Sequence, residues 1–415
     1  MKKSVVIFIT AVCLLITGCG DTGSLSKLPS SSFHEDKQKL TIMHIDADNK
    51  RFQDFIEETE KKLDMEITAE KCPSNADNRR AKISTILASG DKNIDLISVN
   101  DEMISEFKHK GYLEPLEKNV MTEEVRDSFP QKYLESICEE NGHIYSVPFQ
   151  MDIMMFWVNQ ELLKQAGLDE IKNTGDFDIL QKSLKNPDQY AYGDAWENTH
   201  VYNSLSQFVN FWGGDYFDWT DPKTKDAARY MKSMLDEKNT SPAQFVDQYE
   251  QMEEKFIRGK YGCVFMYTSA LGTFLDADVY GKNKIHMAPL PVLHKKKATN
   301  IATWQYVLNN ASENKDAAVR FLQYAAGYEG STEYAKIMKS YPARVDVIEN
   351  EDIDLEGIDM IRKYLREYTL NARPLCENSM GAVSDMGKLF QGYVLGQCEE
   401  DSFFEQAQNC INTYY

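Results

Sequence analysis

Leu40-Thr41-Ile42-Met43-His44-Ile45 opens the stretch that decides the fold, and Ile94-Asp95-Leu96-Ile97-Ser98-Val99 closes it. The first run is apolar and short, which predicts a strand. Phe52, Phe55, Ile56, Thr59 and Leu63 then recur at three- and four-residue spacing, the period of a helix with one buried face. Met65-Glu66-Ile67-Thr68-Ala69 alternates as a strand does. Ile83, Ile86 and Leu87 give residues 79–88 a helical face, residues 94–99 form a third strand, and 103–109 another helix. Strand, helix, strand, helix, strand predicts an α/β fold with a largely parallel sheet. Ligands of such sheets sit beyond the carboxyl ends of the strands. Those ends read Asp46-Ala47-Asp48 and Asn100-Asp101-Glu102, so each is either a solvated loop or one rim of a binding site.

Working outward, the chain starts Met1-Lys2-Lys3 and continues with an apolar run over 5–16. That run is too short to span a bilayer core of about 30 Å. Residues 1–18 therefore read as a signal peptide. Ile16-Thr17-Gly18-Cys19 resembles the bacterial lipobox. That motif predicts a lipid on Cys19, and with it attachment to the outer face of the cell membrane. An ordinary signal peptide with a chance cysteine is the plainer alternative. Residues 20–36 are rich in Ser and Gly without an apolar period, and 19–37 read as a flexible tether.

A net charge of −19 repels phosphate backbones, so nucleic acid is not an expected partner. It suits a soluble surface or a cationic solute. Cys72, Cys138, Cys263, Cys376, Cys398 and Cys410 form no C-x-x-C pair and no zinc-like spacing with histidine. Mostly free, buried thiols are expected, with a Cys398–Cys410 disulfide left open. No metal and no cofactor is predicted. The second half is more helical and more aromatic. Thr220-Asp221-Pro222 starts a helix with Asp221 as cap and Ala227, Ala228, Met231, Met234 and Leu235 on one face. Residues 262–266, 285–291 and 304–308 read as strands. Ala318, Phe321, Leu322 and Ala325 mark a further helix.

Five stretches, in order, carry a family resemblance. The first is Asp95-Leu96-Ile97-Ser98-Val99 with Gly111-Tyr112-Leu113-Glu114-Pro115-Leu116. The second and most specific is His143-Ile144-Tyr145-Ser146-Val147-Pro148, running through Trp157-Val158-Asn159 to Ala166-Gly167-Leu168. The third is Trp212-Gly213-Gly214-Asp215, and the fourth Phe256-Ile257-Arg258-Gly259-Lys260. The fifth runs from Ala288-Pro289-Leu290-Pro291 through Val307-Leu308-Asn309-Asn310 to Tyr341-Pro342-Ala343-Arg344. Together they resemble the bacterial extracellular solute-binding proteins of the sugar-binding group, similar to maltose-binding protein.

The resemblance implies a two-lobed periplasmic-binding-protein-like α/β fold of type II, with the ligand in a cleft between lobes joined by hinge strands. Residues 38–148 with 288–340 would form one lobe, and 149–287 with 341–415 the other. It implies a monomer that captures a carbohydrate and hands it to the permease of an ABC importer. It places Asp152 as a hydroxyl-binding acid. Asp46, Asn100 and Glu102 stand at strand ends lining the cleft. Trp304, Trp212, Tyr202 and Tyr267 are aromatic wall candidates, with Trp196 or Trp219 as substitutes, and Arg344 follows the later crossing. Ser269 departs from the family, where a stacking tryptophan is common, and Val99 and Val383 are aliphatic where some relatives are aromatic. A linear α-glucan is therefore not required. A polyamine is the rival solute, because Asp46, Asp101, Glu102 and Asp152 could cage a cation. A surface sensor or a hydrolase is the remaining alternative. No G-x-S-x-G, H-E-x-x-H or G-x-x-x-x-G-K-[ST] motif occurs, so no enzyme is expected.

Overall fold

The strand and helix alternation at the start is what the backbone adopts. In the computed structural model, which describes residues 37–415 except Ser74, β1 is Gln38–His44, α1 Lys50–Leu63, β2 Met65–Lys71, α2 Ala76–Ser89 and β3 Leu96–Asn100. The signal peptide and Cys19 lie outside the described residues. Asn49 caps α1 by accepting from the Arg51 N–H at 2.9 Å. Phe52, Phe55, Ile56 and Thr59 are buried, as their spacing predicts. β1 lies between β2 and β3, parallel to both. Asp95 begins the third strand stretch fully buried. It accepts from the Thr41 N–H at 2.8 Å and the Ser312 hydroxyl at 2.6 Å, so a buried charge is satisfied from both sides.

The helix expected over 103–109 begins two residues earlier, as α3 (Asp101–Phe107). The Asn100 side-chain oxygen accepts from the Met103 N–H at 3.1 Å and so caps it. The following strands are β4 (Val147–Asn159), β5 (Tyr190–Gly193), β6 (Tyr261–Tyr267), β7 (Ile285–Ala288), β8 (Ala298–Leu308) and β9 (Thr369–Ala372). The nine strands form one sheet, in the order β2-β1-β3-β8-β4-β6-β5, with β9 paired to β8 and β7 to β4. β4 changes partners along its length. Residues up to Ile153 pair with β8, and those from Met154 onward pair with β6 and β7.

Two differences from the sequence reading have clear causes. The strand expected at 285–291 stops at Ala288, because Pro289 and Pro291 cannot donate to a ladder. The strand expected at 304–308 starts six residues earlier, at Ala298. Its first half is polar and was not read as core. Asn300 is nonetheless fully buried there. Its side-chain nitrogen donates to the Ser206 hydroxyl at 2.7 Å and the Asn203 carbonyl at 3.2 Å, both on α4 (Val201–Trp212). The 220–222 start is as expected. Asp221 caps α5 (Pro222–Asp236), whose Ala227, Ala228, Met231 and Met234 are buried. The six described cysteines are free thiols, so residues 398 and 410 do not form the disulfide left open above. Among the described residues, no helix is long and apolar enough to cross a membrane, and no cluster of His, Cys, Asp or Glu is suited to a metal.

Candidate solute cavity

Register places several candidates on one face of the sheet. Trp304 lies opposite Asn100 on β3, and Ala302 lies opposite Asp152 on β4. Side chains on a strand alternate faces, so Trp304 and Ala302 share a face, and their cross-strand partners join it. That face opens into a cavity of about 590 Å³ lined by Asn100, Glu102, Asp152, Tyr267 and Trp304 among others. The volume falls in the usual range of small-molecule sites, roughly 300–1,000 Å³.

Asp152 is half-buried and accepts from the Thr268 hydroxyl at 2.8 Å. Burial raises its carboxyl above the usual aspartate range, although the Thr268 hydroxyl and the Ser269 N–H pull the other way. Trp304 presents its ring to the Arg79 guanidinium, 5.4 Å from the centroid. Tyr267 donates to Asn203 at 3.1 Å and packs edge-on against Tyr249 at 5.6 Å. The Tyr249 hydroxyl is buried and finds no partner among the described residues. Such groups are uncommon in folded proteins and call for an explanation. Glu197 accepts from the Thr199 hydroxyl at 2.6 Å and sits 3.1 Å from the His200 ring nitrogen. Burial raises its carboxyl, but those hydrogen bonds outweigh it and hold the group below the ordinary glutamate value.

Glu102 lines the same cavity but belongs to a separate hydrogen-bonded cluster. Its carboxylate receives the Arg373 guanidinium at 2.8 Å, the Tyr202 hydroxyl at 2.8 Å and the Asn100 amide at 3.2 Å. Burial favours its neutral form, but the Arg373 charge and the Tyr202 hydroxyl prevail and lower its pKa. Tyr202 itself is 1% exposed and stands behind the wall.

Three further candidates lie outside the cavity. The turn after β1 carries Asp46 over the buried His44 ring, whose nitrogen accepts from the Asp46 N–H at 3.0 Å. Arg344 is committed to its own surroundings, with Asp346 at 2.6 Å, the Ala326 carbonyl at 2.7 Å and Ser128 at 2.8 Å. Trp212 ends α4 and stacks on His294, with centroids 5.0 Å apart. The substitutes Trp196 and Trp219 are fully buried. Ser269 does line the cavity, while Val99 and Val383 are buried.

A family model described as "Bacterial extracellular solute-binding protein" matches residues 46–332. The chain belongs to that family. This solute-binding protein has the two-lobed α/β fold of its structural neighbours. It is similar to the maltose-bound MalE3 of T. maritima, with a TM-score of 0.74 at 17% identity over 90% of this chain and 99% of that one. It is equally similar to a solute-binding protein of Thermotoga lettingae bound to α-D-tagatose, with a TM-score of 0.75 at 18% identity over 91% of this chain and 99% of that one. Among curated proteins it is 24% identical to one from Sinorhizobium fredii named "Probable amino-acid ABC transporter periplasmic-binding protein", over 55% of this chain and 54% of that protein. The chain thus spans about half the length of the curated relatives it matches.

Sequence reasoning missed Arg373, Tyr249, Asn203 and His200, all of which line the cavity of this solute-binding protein. Tyr249 opens a helix whose Met252 and Phe256 period reads as core, and His200 caps α4, so neither type nor spacing sets them apart. Arg373 meets partners 271 and 272 residues away in sequence, so no local signal announces it.

Proposed function

We propose that this protein captures a neutral carbohydrate or polyol outside the cytoplasm and delivers it to the permease of an ABC importer. The observation that carries this reading is the lining of the cavity. It brings the Asp152 carboxylate, the Trp304 and Tyr249 rings and a buried hydroxyl without a partner among the described residues to one space. Sugar hydroxyls seek charged acceptors, and sugar ring faces seek flat aromatics. The maltose and tagatose in the two Thermotoga proteins agree with this chemistry. The amino-acid name of the Sinorhizobium relative points elsewhere. An α-carboxylate would want a free guanidinium, but Arg373 already holds Asp101 and Glu102, Arg80 holds Glu106 at 2.8 Å, and Arg79 donates to the Pro73 carbonyl at 3.2 Å and lies against Trp304. A polyamine is the second reading, because six carboxylates against three guanidinium groups leave the cavity lining acidic.

In this reading residues 38–148 with 288–340 form one lobe and 149–287 with 341–415 the other. The partner change of β4 between Ile153 and Met154 falls close to the first boundary and supports it. Closure of the lobes around the solute is the working motion. A lipid on Cys19 keeps the protein at the outer membrane face. A thermal-shift screen of the purified protein against mono- and oligosaccharides, polyols, amino acids and polyamines tests the solute class. A sugar or polyol at a hundred times its Kd should stabilise the fold by about 2.7 kcal/mol. Stabilisation by amino acids or polyamines alone would replace the reading.

A further inference from the structure

The Arg373 side chain follows β9 and is 8% exposed. Its Nε donates to one oxygen of Asp101 at 3.0 Å, and one Nη donates to the other oxygen. The second Nη donates to Glu102 at 2.8 Å and to the Tyr202 hydroxyl at 2.7 Å. Tyr202 in turn donates to Glu102, which closes a ring of hydrogen bonds. Asp101 and Glu102 are the first two residues of α3, which hangs from β3. Tyr202 is the second residue of α4. Three segments remote in sequence therefore meet at one buried charge. Burial disfavours charge on Arg373, yet Asp101, Tyr202 and Glu102 reverse this and hold it charged.

Ionic clusters of this kind add little net stability compared with well-packed apolar residues. Their effect is directional, because a planar guanidinium accepts its partners only in one geometry. The network is made wholly of the chain's own groups. It ties the α3 side of the cavity to the side built from α4 and the C-terminal segment.

We infer that Arg373 is a positioning residue that joins the two walls of the cavity and thereby sets the orientation of Glu102 and Tyr202. The inference rests on the cavity being the solute site. A wall fixed in advance lowers the ordering cost that binding would otherwise carry.

The test uses purified protein without any solute, so the outcome of the solute screen does not bear on it. Arg373→Met and Arg373→Lys have similar bulk, and only the second keeps the charge. Circular dichroism checks folding, small-angle scattering gives the radius of gyration, and tryptophan emission, taken as the difference from a Trp304→Phe background, reports on Trp304. Arg373→Met is expected to keep its secondary structure, expand, and shift its emission to the red. Arg373→Lys should return both readings toward wild type. If Arg373→Met matches wild type in both readings, Arg373 only fills space and the inference falls. If Arg373→Met does not fold, Tyr202→Phe decides, since it removes two hydrogen bonds without stranding a charge. A smaller expansion of the same kind supports the inference, and an unchanged radius and emission overturn it.

Discussion

Two groups of residues in the cavity lining use similar residue types to opposite effect. Around Arg373, the guanidinium, two carboxylates, a phenol and an amide bond one another, with Arg373, Asp101 and Tyr202 buried and Glu102 and Asn100 half-buried. The Asp152 carboxylate has one side-chain donor, Thr268, and the Tyr249 hydroxyl has no partner among the described residues. One group holds itself together, and the other has hydrogen-bonding capacity to offer a guest. The difference teaches that a charged residue in a cleft is not by that fact a ligand contact. Its existing partners decide what it has left to give.

The contrast can be broken most directly at Arg373. Arg373→Met strands Asp101 and Glu102, and loss of one partner from a buried pair should destabilise the fold by about 3–5 kcal/mol. Urea unfolding measures this, and a loss under about 1 kcal/mol would mean that the two groups do not differ as described.

Asp152→Ala should show the reverse pattern. It removes charged-acceptor hydrogen bonds worth about 1.5–3 kcal/mol each, so affinity for the solute found by screening should fall about tenfold to a hundredfold. The solute-free melting temperature should hold. A lowered melting temperature with intact affinity would make Asp152 structural. The pH dependence adds a second check. Burial raises this carboxyl, so its charged form is lost as pH falls through a value above the ordinary aspartate range. Binding should weaken there, and Asp152→Asn should flatten the profile. The stability effect has the opposite sign, because a raised carboxyl pKa means the ionised form is disfavoured in the folded state. Asp152→Asn should therefore not lower stability at neutral pH.

Trp304→Ala should cost about 0.5–1.5 kcal/mol of binding beyond lost area, roughly threefold to tenfold in affinity by calorimetry. Unchanged binding would move the aromatic contact to Tyr249 or Tyr267.

Tyr249→Phe sharpens the comparison most finely. It should weaken binding by about 0.5–1.5 kcal/mol if the hydroxyl meets the solute. It should also raise the solute-free melting temperature slightly, because it deletes an unpartnered buried polar group. A fall in melting temperature would show that the hydroxyl has a partner within the protein.

The fold was legible where periodicity is local. The spacing of Phe52, Phe55, Ile56 and Thr59 told the buried face of α1, and the 65–69 alternation told β2. The first half of β8 was not legible, because Thr299 and Asn300 look like loop residues. They are core only because β4 and α4 supply hydrogen-bond partners. The site was legible along the sheet, where strand ends and β4 brought Asn100, Glu102, Asp152, Trp304 and Tyr267 to one cavity. It was not legible for Arg344 and Trp212, whose types suit a cleft but whose neighbours claim them. Arg373 was invisible because its role exists only once three distant segments meet.

The pairing of β3 with β8 has a consequence for how the chain acquires its structure. Residues 96–100 find their antiparallel partner only at 304–308. Until synthesis passes residue 308, the strands of the first hundred residues form a sheet with an exposed edge at β3, the kind of edge that recruits other chains. Such long-range closure is slow. Nascent or truncated forms ending before 308 should therefore be aggregation-prone and depend on chaperones. A chain broken after β8 would have at least closed that edge.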